Sequence, residues 1–163
     1  MKIVCGGQTG VDRAALDAAL ERGTEAGGWC PEGRRAEDGV IAGKYPLKEL
    51  PGAGYGQRTE KNVIDSDGTV IIYFGQLFGG TEQTLLFCIR EERPYLLIDA
   101  EECSIERAIE KIKAFIAKYQ IQVLNVAGPR AGDEPRAYEY AKQVMLGVLS
   151  QVNEFFGINA KGE

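Results

Sequence analysis

Short β-branched runs alternate with longer stretches of helical periodicity along this chain, and no other feature restricts the fold as much. Such alternation calls for a mainly parallel sheet, because parallel strands need a helix-length connection between them. The runs lie at residues 2–5, 25–30, 70–74, 95–98 and 123–126. Between them, residues 10–21 read as a helix with Thr9 as N-cap and Asp12 closing a capping box. A short helix is expected over 59–66. Another over 81–91 would turn Leu85, Leu86 and Ile89 inward. Ser104 opens a helix in which Ile105, Ala108, Ile109, Ile112, Phe115 and Ile116 recur at helical spacing. Pro135 suits the first turn of a last helix, with Ala141, Val144, Met145, Val148, Leu149 and Val152 on one face and Gly157 as its stop.

These elements predict an α/β protein: one Rossmann-like, three-layer domain over residues 1–163, with a five-stranded, mainly parallel sheet. Right-handed crossovers and neighbouring connections give 2-1-3-4-5 as the simplest strand order. A chain of 163 residues buries one core without disulfides. The interval 31–57 is long, polar and rich in glycine and proline, as functional loops often are, and is expected to lie over the site.

Absences narrow the chemistry. The sequence has no histidine, which excludes a histidine base, Ser-His and Cys-His dyads and histidine-ligated metal. A net charge of −5 gives no broad footprint for duplex nucleic acid. No apolar run approaches the ~18 residues of a membrane helix, and no leader precedes the first strand, so a cytoplasmic location is expected. Cys5, Cys30, Cys88 and Cys103 contain no CxxC pair and suggest neither a disulfide framework nor a zinc ribbon.

In a sheet of this class ligands sit beyond the C-terminal strand ends, where the strand order reverses. Two glycine-rich junctions are expected there: Gly6-Gly7-Gln8-Thr9-Gly10, and Gly79-Gly80-Thr81 after the third strand. Each offers unhindered amides at a positive helix end, which suits a phosphate. The first is not a Walker A loop, since no lysine follows. Arg13, Arg34, Arg58 and Arg130 fall in or beside the predicted strand-end loops, and guanidinium forks suit phosphates. Arg35 and Arg136 read as bystanders. Glu37-Asp38-Gly39 could contact ribose hydroxyls, an amine edge or a divalent ion, or simply be solvated. Tyr45 and Tyr55 could stack on a ring or anchor the loop. Cys30 reads as a small buried residue. Asn125 and Gly128-Pro129-Arg130 end the fifth strand.

Several blocks together resemble the molybdenum carrier family. They are residues 6–17 (GGQTGVDRAALD), 27–34 (GGWCPEGR), 36–39 (AEDG), 45–47 (YPL), 58–63 (RTEKNV), 66–69 (SDGT), 79–81 (GGT) and 125–130 (NVAGPR). The resemblance spans nearly the whole chain and links it to the Rossmann-like superfamily containing the lysine-decarboxylase-like LOG proteins. It implies a protein that binds molybdenum cofactor, a pterin with a dithiolene and a terminal phosphate, to protect it or deliver it to molybdoenzymes. A homo-oligomer, dimer or tetramer, is implied as in related folds. LOG-like relatives carry GGxGTxxE with a catalytic glutamate three residues after the threonine; here that residue is Thr84, after Thr81.

The leading expectation is therefore a carrier of molybdenum cofactor or a related phosphorylated pterin or nucleotide. Gly6, Gly7, Gln8, Thr9, Gly10, Gly79, Gly80, Thr81 and Gly128 would hold phosphate, Arg13, Arg34, Arg58 and Arg130 would neutralise it, and Glu37 and Asp38 would meet the polar part. No resident metal is expected. The alternative is a nucleotide hydrolase in which Asp12, Glu37 or Asp38 activates water.

Overall fold

In a computed structural model, which describes residues 1–156 (151–156 by backbone alone), the alternation becomes one five-stranded parallel sheet between helices. The first strand, β1 (Lys2–Val4), leads through Gly6–Gly10 into α1 (Val11–Glu21) and back to β2 (Glu25–Gly27). After the long interval come α2 (Tyr55–Ile64), β7 (Gly68–Tyr73), α3 (Gly79–Arg90), β8 (Tyr95–Asp99), α4 (Ile105–Tyr119), β9 (Val123–Ala127) and α5 (Ala137–Phe156), numbered to allow for four short strands described below.

Strand alternation decides the layers. Ile3, Val70, Ile72, Leu124 and Val126 face a core shared with α1, α4 and α5. Ile71 points the other way, onto Val63 of α2 and Cys88 of α3. Both faces of the sheet are thus covered, as parallel sheets require. Ser104 caps α4 by accepting the Arg107 amide at 3.2 Å, as its position predicts.

The strand order is β2-β1-β9-β7-β8. Counted along the sequence-predicted strands this is 2-1-5-3-4, not 2-1-3-4-5. The last strand enters the middle, pairing with β1 through Lys2↔Val123 to Val4↔Asn125 and with β7 through Gly68↔Leu124 to Ile71↔Ala127. Burial explains the placement. In β9 Leu124, Asn125 and Val126 are all buried, whereas β8 begins at exposed Tyr95 and fully buries only Ile98. The strand with a half-wet face takes the edge.

Three local expectations are also corrected. Thr9 does not cap α1; Gly10 stands at the cap with φ +78° and no side-chain hydrogen bond. In α3 the inward residues are Thr81, Thr84 and Cys88, while Leu86 and Ile89 are 57% and 54% exposed and Leu85 is half-buried. The apolar residues of that helix are spread around it, so they do not set its phase. The run 25–30 is two strands. At Gly28, φ +120°, the chain leaves the sheet, and β3 (Trp29–Pro31) pairs in parallel with β6 (Lys48–Leu50). Between these, β4 (Arg35–Ala36) and β5 (Gly39–Val40) form a two-stranded hairpin.

The interval 31–57 is therefore built structure. Ile41, Tyr45 and Leu47 pack on Cys5, Leu16 and Cys30. Tyr45 and Tyr138 both donate to the Asp17 carboxylate at 2.6 Å, which anchors the segment to α1 and α5. The side chain of Val152 and the stop at Gly157 lie outside the described residues. No described helix is long and apolar enough to cross a membrane.

Candidate functional site

A cleft of about 320 Å³ opens over the C-terminal ends of β1, β9 and β7. Because β9 sits between the other two, three loops meet there instead of two. Gln8 and Asp12 come from the β1–α1 junction, Gly128, Pro129 and Arg130 from the end of β9, and Gly79, Gly80 and Thr81 from the start of α3. The fourth wall is α2, through Tyr55, Arg58 and Thr59.

The two glycine-rich junctions differ in what they leave free. At the first, several amides are used inside the protein. Gln8 N–H donates to the Asp12 carboxylate at 3.2 Å, Thr9 N–H to Gln8 Oε1 at 3.1 Å, and Val11 N–H to the Pro129 carbonyl at 3.2 Å. The glycines serve packing. A Cβ on Gly6 would collide with the Arg58 guanidinium, one on Gly7 with Leu47, and one on Gly10 with the Pro129 carbonyl. Gly128 is held as closely, between Val11 and the Ile72 carbonyl. At the second junction the helix start is open. Phe78 occupies the cap of α3 with no side-chain hydrogen bond, and nothing lies within 4 Å of the position of a Cβ on Gly79 or Gly80. First-turn amides have no partner within a helix, so Gly79, Gly80 and Thr81 present donors and a positive dipole end to the cleft. Thr84 also lines it and donates its hydroxyl to the Gly80 carbonyl at 2.9 Å.

The arginines divide in the same way. Arg58 lines the cleft with its side chain only 13% exposed. Its Nη1 stands 3.6 Å from Asp12 Oδ2, and its buried Nε has no hydrogen-bond partner. Arg130 is at the rim, shared between Glu37 at 3.3 Å and Asp133 at 3.0 Å. Arg13 is turned away. It grips the Gly7 carbonyl at 3.1 Å and both oxygens of Asp38, at 2.9 and 3.1 Å, and so holds the Asp38 carboxyl below its ordinary pKa. Arg34 lies outside the cleft, donating to the carbonyls of Ile41, Ala42, Tyr45 and Leu47.

Arg34→Ala is accordingly expected to lower stability by about 2–3 kcal/mol. Faster amide exchange across residues 41–47 would locate the loss, and unchanged exchange there would refute this role for Arg34.

Glu37 is a latch between segments. Its carboxylate accepts the Thr9 hydroxyl at 2.6 Å and the Gly132 amide at 2.8 Å, while its own amide donates to Gln8 Oε1 at 2.9 Å. Asp12 is the one candidate carboxylate on the cleft floor. Burial raises its pKa, opposed by Arg58 and by the amides of Gln8 and Gly6. Among the described residues no group of three or more Cys, Asp and Glu could hold a metal ion. All four cysteines are buried and unpaired, and burial pushes the Cys5, Cys30 and Cys88 thiols up.

Sequence reasoning missed part of the lining. Phe78, 47% exposed, lines the cleft along with Tyr55, 43% exposed, which the sequence already offers as a stacking or anchoring ring. Gln83 and Asp133 also line it. The signal for Phe78 was its place directly before Gly79-Gly80. For Asp133 no motif pointed to it.

Residues 3–149 match the family described as "Circularly permutated YpsA SLOG family". No curated protein matches. One solved structure is similar, with 47% identity, a TM-score of 0.89 and coverage of 91% of this chain and 94% of its own. It is the "Putative molybdenum carrier protein" of Syntrophus aciditrophicus SB. Sequence match and shared fold agree over nearly the full length, and the chain belongs to the circularly permuted YpsA SLOG family.

Proposed function

We propose that the cleft binds a small phosphorylated, ring-bearing molecule, that the protein acts as its carrier, and that molybdenum cofactor or a related pterin phosphate is the cargo. The observation that carries this reading is the meeting of the open N-terminus of α3 with Arg58, a buried cation whose Nε lacks a partner. A phosphate lying between them would receive the amides of Gly79, Gly80 and Thr81 and a guanidinium fork, and Arg130 could swing from Glu37 to join it. The ring would lie between Tyr55 and Phe78, with the side-chain amide of Gln83 available to read its edge. The volume is in the range of small-molecule sites. The name of the similar solved protein supports a molybdenum-containing cargo. So does the chemistry, since Thr84 offers no carboxylate at the position of the LOG-like glutamate, and a carrier needs none.

The test is thermal-shift titration with molybdenum cofactor, pterin monophosphate, AMP and ADP-ribose. A ligand at about a hundred times its Kd adds roughly 2.7 kcal/mol to native stability, which is about 5–10 °C in Tm for a domain of this size. Selective stabilisation by the pterins is expected. Stabilisation by nucleotides alone would replace the cargo, and none by any phosphorylated ring would end the reading.

A further inference from the structure

Asp12 is an unexpected neighbour for an anion. Asp12, 5% exposed, lines both the main cleft and a small adjoining pouch that is shared with Arg58, Thr84 and Asn125. An oxyanion held by Arg58 would lie beside this second negative group, in surroundings that screen charge poorly. Two such anions tolerate each other only when a proton lies between them. Resting on the phosphate reading above, we infer that Asp12 is a specificity residue, which makes the cleft select an oxyanion able to carry a proton, a phosphate monoester, and reject fully ionised ones, sulfate esters and free molybdate.

The geometry assigns each partner. Asp12 Oδ2 accepts the Gln8 amide and faces Arg58 Nη1, the Gly6 amide also serves the carboxylate, and the acceptor capacity that is left faces the cleft. A phosphate monoester in its monoanionic form supplies a P–O–H donor, with its other oxygens toward Arg58 and the start of α3. A sulfate ester has the same shape and no proton to give. Molybdate near neutral pH likewise has none. The charged groups around Asp12 are few. Arg58 faces it from α2, Arg13 stands on its own helix, and Cys5 of β1 donates to its main-chain carbonyl. Arg130 and Asp133 close the rim, and α3 lines the cleft with no ionisable side chain. Burial raises the pKa of Asp12 against the opposing pull of Arg58, which favours sharing a proton that the ligand brings. This restricts the cargo to an organic phosphate in place of the bare metal oxyanion.

The experiment compares 6-hydroxymethylpterin monophosphate with the corresponding monosulfate, AMP with adenosine 5′-sulfate, and molybdate alone, by calorimetry near neutral pH. The phosphate esters are expected to bind at least about tenfold more tightly than the sulfates, the worth of one hydrogen bond to a charged group. In Asp12→Asn the preference should fall to near unity, because the amide can donate to either ester. If that variant fails to fold, the unaltered protein still decides the matter. Its affinity for the sulfate esters must rise as the pH falls and Asp12 takes up the proton the ligand lacks. Equal binding of both esters, pH-independent sulfate binding, or tight molybdate binding overturns the inference and leaves the phosphate reading standing. If neither ester of either pair binds, the phosphate reading falls and takes the inference with it.

Discussion

Replacing Gly28 with alanine is expected to cost about 4 kcal/mol or more, a loss of roughly 10 °C in Tm for a domain of this length. Two effects add. At φ +120° an L-residue is strained by roughly 1–3 kcal/mol even in open space. Here the new Cβ would also collide with the carbonyl oxygen of Cys5 and lie 2.8 Å from its amide nitrogen. These are main-chain atoms at the end of β1, against the centre of the sheet, and cannot step aside as a side chain could. The pivot also sets the position of Trp29, whose amide donates to Asn62 at 2.8 Å and ties the outgoing strand to α2. Gly23→Ala is the control, because Gly23 has φ +66° with nothing within 4 Å of the position of a Cβ. That change should cost about 1–2 kcal/mol, the ordinary left-handed penalty. Denaturant midpoints measure both, and equal losses would show that the contact with Cys5 is immaterial.

Arg58→Ala should weaken binding of a phosphorylated ligand by about 10- to 100-fold, the usual worth of a charge-assisted hydrogen bond. Arg58→Lys should recover only part of this. Lysine restores the charge but not the planar fork, and the guanidinium packs against Gly6 where a Cβ would not fit. Arg13→Ala provides the comparison. Its guanidinium serves the Gly7 carbonyl and Asp38, so its loss should lower stability and leave the affinity of the folded protein within a few-fold. Calorimetric affinities at a temperature where all three variants are folded separate these outcomes. A larger binding loss in Arg13→Ala than in Arg58→Ala would move the anion to the first glycine loop.

The contrast between these two arginines shows where sequence reasoning ran out. The periodicities of α4 and α5, the strand at β7 and the cap at Ser104 are local properties, and local chemistry is enough to read them. Arg13 and Arg58 stand equally close to glycine-rich motifs, and only the fold decides that one clamps a loop while the other enters the cleft. The glycines of residues 6–10 looked like a cradle for an anion. Gly6 and Gly10 are instead small because Arg58 and Pro129 need the room, and the Gln8 amide that a ligand might have claimed belongs to Asp12. The strand order was hidden for a similar reason. Neighbours in sequence are the default neighbours in a sheet, and the exception follows from the burial of both faces of residues 124–126, which no run of apolar residues advertises when Asn125 interrupts it. That asparagine is satisfied across the sheet by the Thr69 hydroxyl at 3.2 Å, a partner 56 positions away.

The central placement of β9 has a consequence for how the protein is made. During synthesis the first strand emerges with only β2 beside it, and two strands of three residues are too short to persist as a pair. The partner on the other side of β1 begins at Val123. Until the ribosome has delivered that segment, β7 also lacks its neighbour toward the N-terminal half, and the helices have no finished surface to cover. The nascent chain thus gains little from folding stepwise. It is expected to remain protease-sensitive and open to chaperones through most of translation, and to close as a unit once residues 123–127 can thread between the two waiting halves.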